Sequence, residues 1–187
     1  MAFDYPVFLD LQGVPVLVVG GGAIAERKAS GLIAAGALVT VVAPTVRDEL
    51  ARAAHRVHQR GFVPGDCDGY RLVFTATDDP AVNAAVSAAA TAAGVWVNSA
   101  DDPANCSFSL PAVARSGPVA VAVGTGGASP ALASHLRDRI AADLLGPHVE
   151  RAAADLAHQR EEIRAAGGST EDIDWTDRVR RALEITP

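Results

Sequence analysis

The chain has 187 residues, of which 49% are hydrophobic, 20% charged and 5% aromatic, with a net charge of -6 at pH 7. That suits one ordinary domain plus a modest appendage; it is too apolar for a disordered chain and too acidic for the basic stripe with which nucleic-acid binders neutralise phosphate. Apolar runs such as residues 14–19 fall far short of the roughly 20 residues a membrane-spanning helix needs, and the N-terminus carries an acid and no basic n-region, so a cytoplasmic protein without membrane partners is expected.

Residues 14–19 form a short β-branched run that stops at three glycines, as a strand buried on both faces would. Residues 23–35 are helical in composition and end at Gly36, residues 38–42 repeat the strand pattern, and a second helix is predicted after Pro44 and Thr45, over about 46–55. A strand over 71–76 leads through residues 77–80 into an Ala-rich helix over 81–93, closed by Gly94, and residues 95–98 read as the next strand. Short strands alternating with helices imply a parallel sheet with right-handed crossovers.

The pattern changes after Asp101. Residues 107–114 and 118–123 read as a hairpin, followed by the Gly-rich residues 124–127 and by Ser129 and Pro130 as N-cap and first helical position. The helix that follows carries Leu132, Leu136, Ile140 and Leu144 as one apolar stripe, and two more helices are predicted over 147–166 and 171–185. The expected fold is α/β: a Rossmann-type parallel-sheet domain over 1–112, a small α+β region over 113–146 and a helical C-terminal tail over 147–187.

Gly20, Gly21, Gly22, Ala23, Ile24 and Ala25 fit the pattern G-x-G-x-x-A, directly after a strand and opening a helix. In that pattern the first glycine permits the tight turn, Gly22 lets the backbone approach a pyrophosphate, Ala25 allows close helix-strand packing, and the helix N-terminus offers free N–H donors. In this context the motif reads as a dinucleotide site; elsewhere the same letters make only a tight turn. The acidic residue usual at the end of the second strand is missing, since the chain there reads Val41, Val42, Ala43, Pro44, Thr45. The nearest arginine is Arg47, so a 2′-phosphate site for NADP is no better supported, and backbone groups with Thr45 remain to bind the ribose.

Other chemistry is sparse. Cys67 and Cys106 form no CxxC pair, which argues against a disulfide framework and a structural zinc site. Lys28 is the only lysine, and neither Tyr5 nor Tyr70 has a lysine four positions on; beside Glu26 and Arg27 it is expected to be solvated or to face another subunit. His55 and His58 have helical spacing but no third ligand, so they read as a solvated helix end; His135, His148 and His158 read as structural, and no metal site is expected. Residues 98–103 follow a strand at the carboxyl edge of the sheet, where a carboxylate can act as a base, although Asp102 and Pro103 can equally make a plain turn. The loop 124–130 is similarly open: its amides can bind carboxylates, or it only introduces a helix. Arg115, Arg137 and Arg139 are candidates by position for substrate carboxylates.

Taken together, residues 5–8, 18–29, 76–79 with Val82 and Asn83, 98–103, Ser107 with Phe108, and 124–130 resemble the precorrin-2 dehydrogenase family, the siroheme-synthase N-terminal module, in family order over about the first 145 residues. The resemblance implies NAD-dependent oxidation of precorrin-2 to sirohydrochlorin, a tetrapyrrole, and a homodimer in which residues 113–146 mediate pairing. It implies Asp101 as the essential acid, cofactor contacts at Gly20, Gly22, Ala23, Ile24, Pro44, Thr45 and Thr77, and substrate contacts at Asn98, Thr125, Gly126 and Ser129. Some relatives also insert ferrous iron, and no His/Cys cluster here strengthens that reading; some carry a fused methyltransferase domain, so methylation is expected elsewhere. A Rossmann module that senses NAD redox state without chemistry is the alternative from another class.

Overall fold

The structure is a computed structural model and describes residues 5–100 and 102–184. The chain divides into two compact units, Met1–Ser109 and Leu110–Pro187.

The first unit is a parallel five-stranded sheet with strand order β3-β2-β1-β4-β5. Its elements are β1 (Pro15–Val19), α1 (Ala23–Ala34), β2 (Leu38–Val42), α2 (Asp48–Ala53), β3 (Arg56–His58), β4 (Leu72–Thr75), α3 (Pro80–Ala92) and β5 (Trp96–Ser99). The central strand β1 pairs with β2 and β4, Val16 lying opposite both Val39 and Leu72. Its side chains alternate between two cores, which is why it reads as an unbroken apolar run. Val16 and Val18 pack with Ala25, Ala29, Leu32 and Phe74, whereas Leu17 and Val19 pack with Val73, Val86, Ala90 and Val97. Alanine at 25 and 29, both fully buried, lets the helix lie close on the sheet.

Helix α2 is shorter than expected, because Ala54 takes extended φ/ψ and the chain re-enters the sheet. Arg56 to His58 pair with Thr40 to Val42 as an edge strand too short and too polar to show periodicity. His55 and His58 therefore do not share a helix, which corrects the sequence reading.

Cys67 is fully buried in the α3-side core. Burial, reinforced by the neighbouring carboxylates of Asp66 and Asp68, pushes its thiol up to about 11. An unfolded thiol ionises near pH 8.5, so above that pH the unfolded state binds fewer protons and stability falls until the folded thiol also ionises. Urea unfolding is expected to show a loss of up to about 3 kcal/mol between pH 8.5 and 11, smaller in Cys67→Ala.

In the second unit β6 (Ala112–Ser116) and β7 (Val119–Val123) form an antiparallel hairpin, followed by α4 (Pro130–Leu144), α5 (Pro147–Ala165) and α6 (Thr176–Glu184). The first hairpin strand starts at Ala112 and not at 107, because Ser107 is bound to β5: its N–H donates to the Val97 carbonyl at 2.7 Å. The division into units falls at Ser109 and not after 112, and residues 113–146 and 147–187 belong to one unit. The Ser116 hydroxyl joins them by donating to the Gly146 carbonyl, at 3.0 Å. Helix α6 starts later than expected because residues 170–176 are used in a turn: Trp175 Nε1 donates to the Thr170 carbonyl at 3.2 Å, and the Thr176 N–H donates to Asp174 Oδ1 at 2.9 Å. On α4 the buried residue is Ala133, while Leu132, Leu136 and Leu144 of the predicted stripe are 48%, 41% and 61% exposed. Among the described residues no helix is long and apolar enough to cross a membrane.

Candidate functional site

The three glycines after β1 do different jobs. Gly20 has φ +123°, where L side chains are strained, and a Cβ there would overlap the Ala76 carbonyl. A Cβ on Gly21 would overlap the Thr45 carbonyl, and the Gly21 carbonyl accepts from the Arg47 N–H at 3.0 Å. Packing alone demands glycine at both. Gly22 is different: its backbone is ordinary extended structure, φ -83° and ψ -173°, and a Cβ there would meet nothing within 4 Å. The protein's own atoms place no demand on that position, and the space beside it is open, as the dinucleotide pattern requires where the backbone approaches a pyrophosphate. The first hydrogen bond of α1 runs from the Glu26 N–H to the Gly22 carbonyl, at 3.0 Å. The N–H groups of Ala23 and Ile24 precede it, and Gly22 brings no side chain to cap them, leaving donors at the positive end of the helix dipole.

Beside this turn a cleft of about 450 Å³ runs across the carboxyl ends of β1, β2 and β4. It lies where the strand order reverses, the ordinary ligand position of open α/β sheets. Gly20, Ala43, Pro44, Thr45 and Phe62 line it, together with Ala76, Thr77, Asp78, Asp79 and Val82 among others. The wall at Thr77 is held by Asn83, whose Oδ1 accepts from the Thr75 and Thr77 hydroxyls at 2.5 and 2.9 Å and whose Nδ2 donates to the Thr77 carbonyl at 3.0 Å. Asp79 caps α3 by accepting from the Ala81 and Val82 N–H groups. Sequence reasoning listed Thr77 but not the amide behind it, although Asn83 stands in the stretch that carries the family resemblance.

At the ribose end no carboxylate closes the second strand. Arg47 Nε donates to Glu26 Oε2 at 2.5 Å, so the nearest arginine already has an acidic partner from the first turn of α1. Glu26→Gln is expected to free it and to raise affinity for NADP relative to NAD about fivefold, since an exposed pair is worth at most about 1 kcal/mol. Competitive binding of the two nucleotides to wild type and variant measures this.

At the end of β5 the structure corrects the reading of Lys28. Its side chain is half-buried, not solvated: Nζ donates to Asn98 Oδ1 at 2.9 Å and lies 5.8 Å from the Phe74 ring centroid. Lys28 is three residues past Ala25, on the helix face that packs against the sheet. Asn98 is buried, and its Nδ2 donates to the Phe108 carbonyl at 3.0 Å. Cys106 Sγ accepts from the Ser99 N–H at 3.1 Å, and burial raises its thiol so that it stays protonated. Asp102 Oδ2 accepts from Asn105 Nδ2 at 2.6 Å. Asp101 lies outside the described residues.

In the second unit Thr125, Gly126 and Ser129 build the start of α4. The Thr125 hydroxyl donates to the Ser129 carbonyl and accepts from its N–H, both at 3.1 Å, and Ser129 Oγ accepts from the Leu132 N–H at 3.1 Å. Gly126 has φ +59°. Arg137 and Arg139 are paired with Asp138 and Asp143, and His158 with Glu162. Among the described residues no group of three or more His, Cys, Asp or Glu side chains is placed to hold a metal ion.

A parallel sheet in this order, with a glycine turn opening its first helix onto a cleft at the switch point, defines a dinucleotide-binding protein of the Rossmann type. Residues 7–112 match an NAD(P)-binding family, and residues 116–142 match the family described as sirohaem biosynthesis protein central. The chain belongs to the precorrin-2 dehydrogenase and siroheme synthase family. It is 47% identical over 170 residues to a siroheme synthase of Methylococcus capsulatus, covering 87% of this chain and 35% of that one. It is 45% identical over 167 residues to a siroheme synthase of Pseudomonas entomophila, covering 87% and 36%. The chain thus spans about a third of the length of these relatives. Among solved structures it is similar to SirC, a precorrin-2 dehydrogenase, with a TM-score of 0.73 and 29% identity over 98% of this chain and 89% of that one. The cofactor is NAD, and the open space at Gly22 beside uncapped N–H donors fits its pyrophosphate.

Proposed function

We propose that the chain is an NAD-dependent precorrin-2 dehydrogenase that oxidises precorrin-2 to sirohydrochlorin on the way to siroheme or a cobalamin precursor. What carries the reading is likeness along nearly the whole chain to a solved protein of that name, covering both units and not the nucleotide unit alone. NAD supplies the hydride acceptor. The chain supplies its seat and a destination for the proton. Gly20 and Gly22 let the backbone approach the pyrophosphate, the N–H groups of Ala23 and Ile24 donate to it, Pro44 and Thr45 border the adenosine ribose, and Thr77 forms part of the cleft wall. Asp101, two positions after the end of β5 in the sequence, accepts the proton released from the substrate carbon as hydride departs. By the family resemblance Asn98 in the first unit, and Thr125, Gly126 and Ser129 in the second, are the candidate substrate contacts.

The same reading makes the protein a cytoplasmic homodimer. A second copy covers Leu132, Leu136 and Leu144 of α4, an apolar row a lone chain would leave in water. Light scattering is expected to give twice the mass of one chain. The decisive assay mixes protein, precorrin-2 and NAD without oxygen. NADH absorbance and the sirohydrochlorin spectrum are expected to grow in proportion; NAD binding with no turnover of precorrin-2 would sink the proposal.

A further inference from the structure

Lys28 is the single lysine in a chain that otherwise uses arginine for its basic side chains. It sits on α1, the helix that opens at Gly22, yet its ammonium reaches across to β5 and donates to Asn98 Oδ1 at 2.9 Å. An ammonium can only donate, so this bond fixes which way round the Asn98 amide stands. Nδ2 is thereby turned to the Phe108 carbonyl at 3.0 Å and to Cys106 Sγ at 3.8 Å. Phe108 also packs edge-on against Phe74, the ring that Lys28 approaches.

Around this amide the two feet of one loop are closed. The Ser107 N–H donates to the Val97 carbonyl and the Val97 N–H to Ser107 Oγ, both at 2.7 Å, and the Ser99 N–H donates to Cys106 Sγ at 3.1 Å. Residues 100–105 between the feet include Asp101 in sequence. One buried amide thus ties three parts of the chain together, its orientation fixed jointly by the Lys28 ammonium, which only donates, and the Phe108 carbonyl, which only accepts.

We infer that Lys28 is a positioning residue: through the Asn98 amide it fastens the end of β5 and residues 106–108 to α1, so that the helix that seats the cofactor also holds the two stretches that flank the proposed base in the sequence. The catalytic consequence rests on the dehydrogenase reading; the fastening does not. Lys28→Met keeps the length and removes the donor, whereas Lys28→Arg keeps a donor-only cation.

The test has two readouts. The first is alkylation of Cys106 followed by peptide mapping, which reports opening of the loop without any substrate. Lys28→Met is expected to label about tenfold faster than wild type or more, and Lys28→Arg within about threefold of wild type, both with unchanged NAD affinity. The second is steady-state turnover of precorrin-2, where Lys28→Met is expected to lower kcat about tenfold or more while KM for NAD stays within about twofold. Labelling of Lys28→Met at the wild-type rate overturns the inference, as does an Arg variant that behaves like the Met variant. Loss of NAD binding together with stability in Lys28→Met also overturns it, since that marks a general structural role. If wild-type protein does not turn over precorrin-2, the dehydrogenase reading fails by itself, and the labelling rates still decide whether Lys28 holds the loop.

Discussion

Gly22→Val is expected to weaken NAD binding by about a hundredfold or more while leaving thermal stability within about 0.5 kcal/mol of wild type, whereas Gly21→Ala is expected to cost about 3 kcal/mol of stability. The two residues are neighbours in one turn, and the contrast follows from what surrounds each. A Cβ on Gly21 would overlap the Thr45 carbonyl, a backbone atom with little room to move, so the strain falls on the fold. A Cβ on Gly22 would meet no protein atom, and the backbone there is available to any residue. A valine side chain at 22 would instead project into the space at the head of α1, where the pyrophosphate is to sit against the N–H groups of Ala23 and Ile24. Isothermal calorimetry with NAD, beside urea unfolding of both variants, separates the two effects. A Gly22→Val protein that unfolds early, or one that binds NAD normally, would contradict the assignment of the cleft.

Asp101→Asn is expected to lower kcat for precorrin-2 oxidation by about 10²- to 10⁴-fold, the usual worth of a positioned general base, with NAD affinity and stability unchanged. An amide keeps the size of the carboxylate but cannot take up the proton that must leave as hydride departs. The neighbouring carboxylate does not replace it, because Asp102 accepts from Asn105 Nδ2 within its own turn. Asp102→Asn is therefore the control, and it should retain most of the activity. Full turnover by Asp101→Asn would remove that residue from the mechanism and turn attention to a water or a substrate carboxylate as the proton acceptor. Falsification of this role would leave the nucleotide site untouched, since nothing in the glycine turn depends on Asp101.

The alternation of strand and helix through residue 99, the glycine turn, and the N-cap at Ser129 were legible in the chain because each rests on local chemistry: β-branched runs buried on both faces, a backbone that must turn without a side chain, a hydroxyl that satisfies a helix N–H. Asn83 entered the sequence reading only within the stretch that carries the family resemblance, since an asparagine in an Ala-rich helix carries no signal of its own, whereas Asp79 before Pro80 is a local capping signal that the sequence reading did not use. The short edge strand at Arg56 to His58 was not legible, because three residues with one apolar side chain show no period and gain their hydrogen bonds only from the neighbour β2.

By itself the sequence determined the class: a parallel α/β nucleotide fold, the position of its glycine turn, and its likeness to a dehydrogenase family. These depend on periodicity and on residues close together in the chain. Only the tertiary structure decided that Gly21 serves packing while the space beside Gly22 is left open, that Glu26 already engages Arg47, and that Lys28 reaches Asn98, 70 positions away. Each of those depends on which atoms fill the space around a residue, and strand order places those atoms from segments that sequence spacing does not connect.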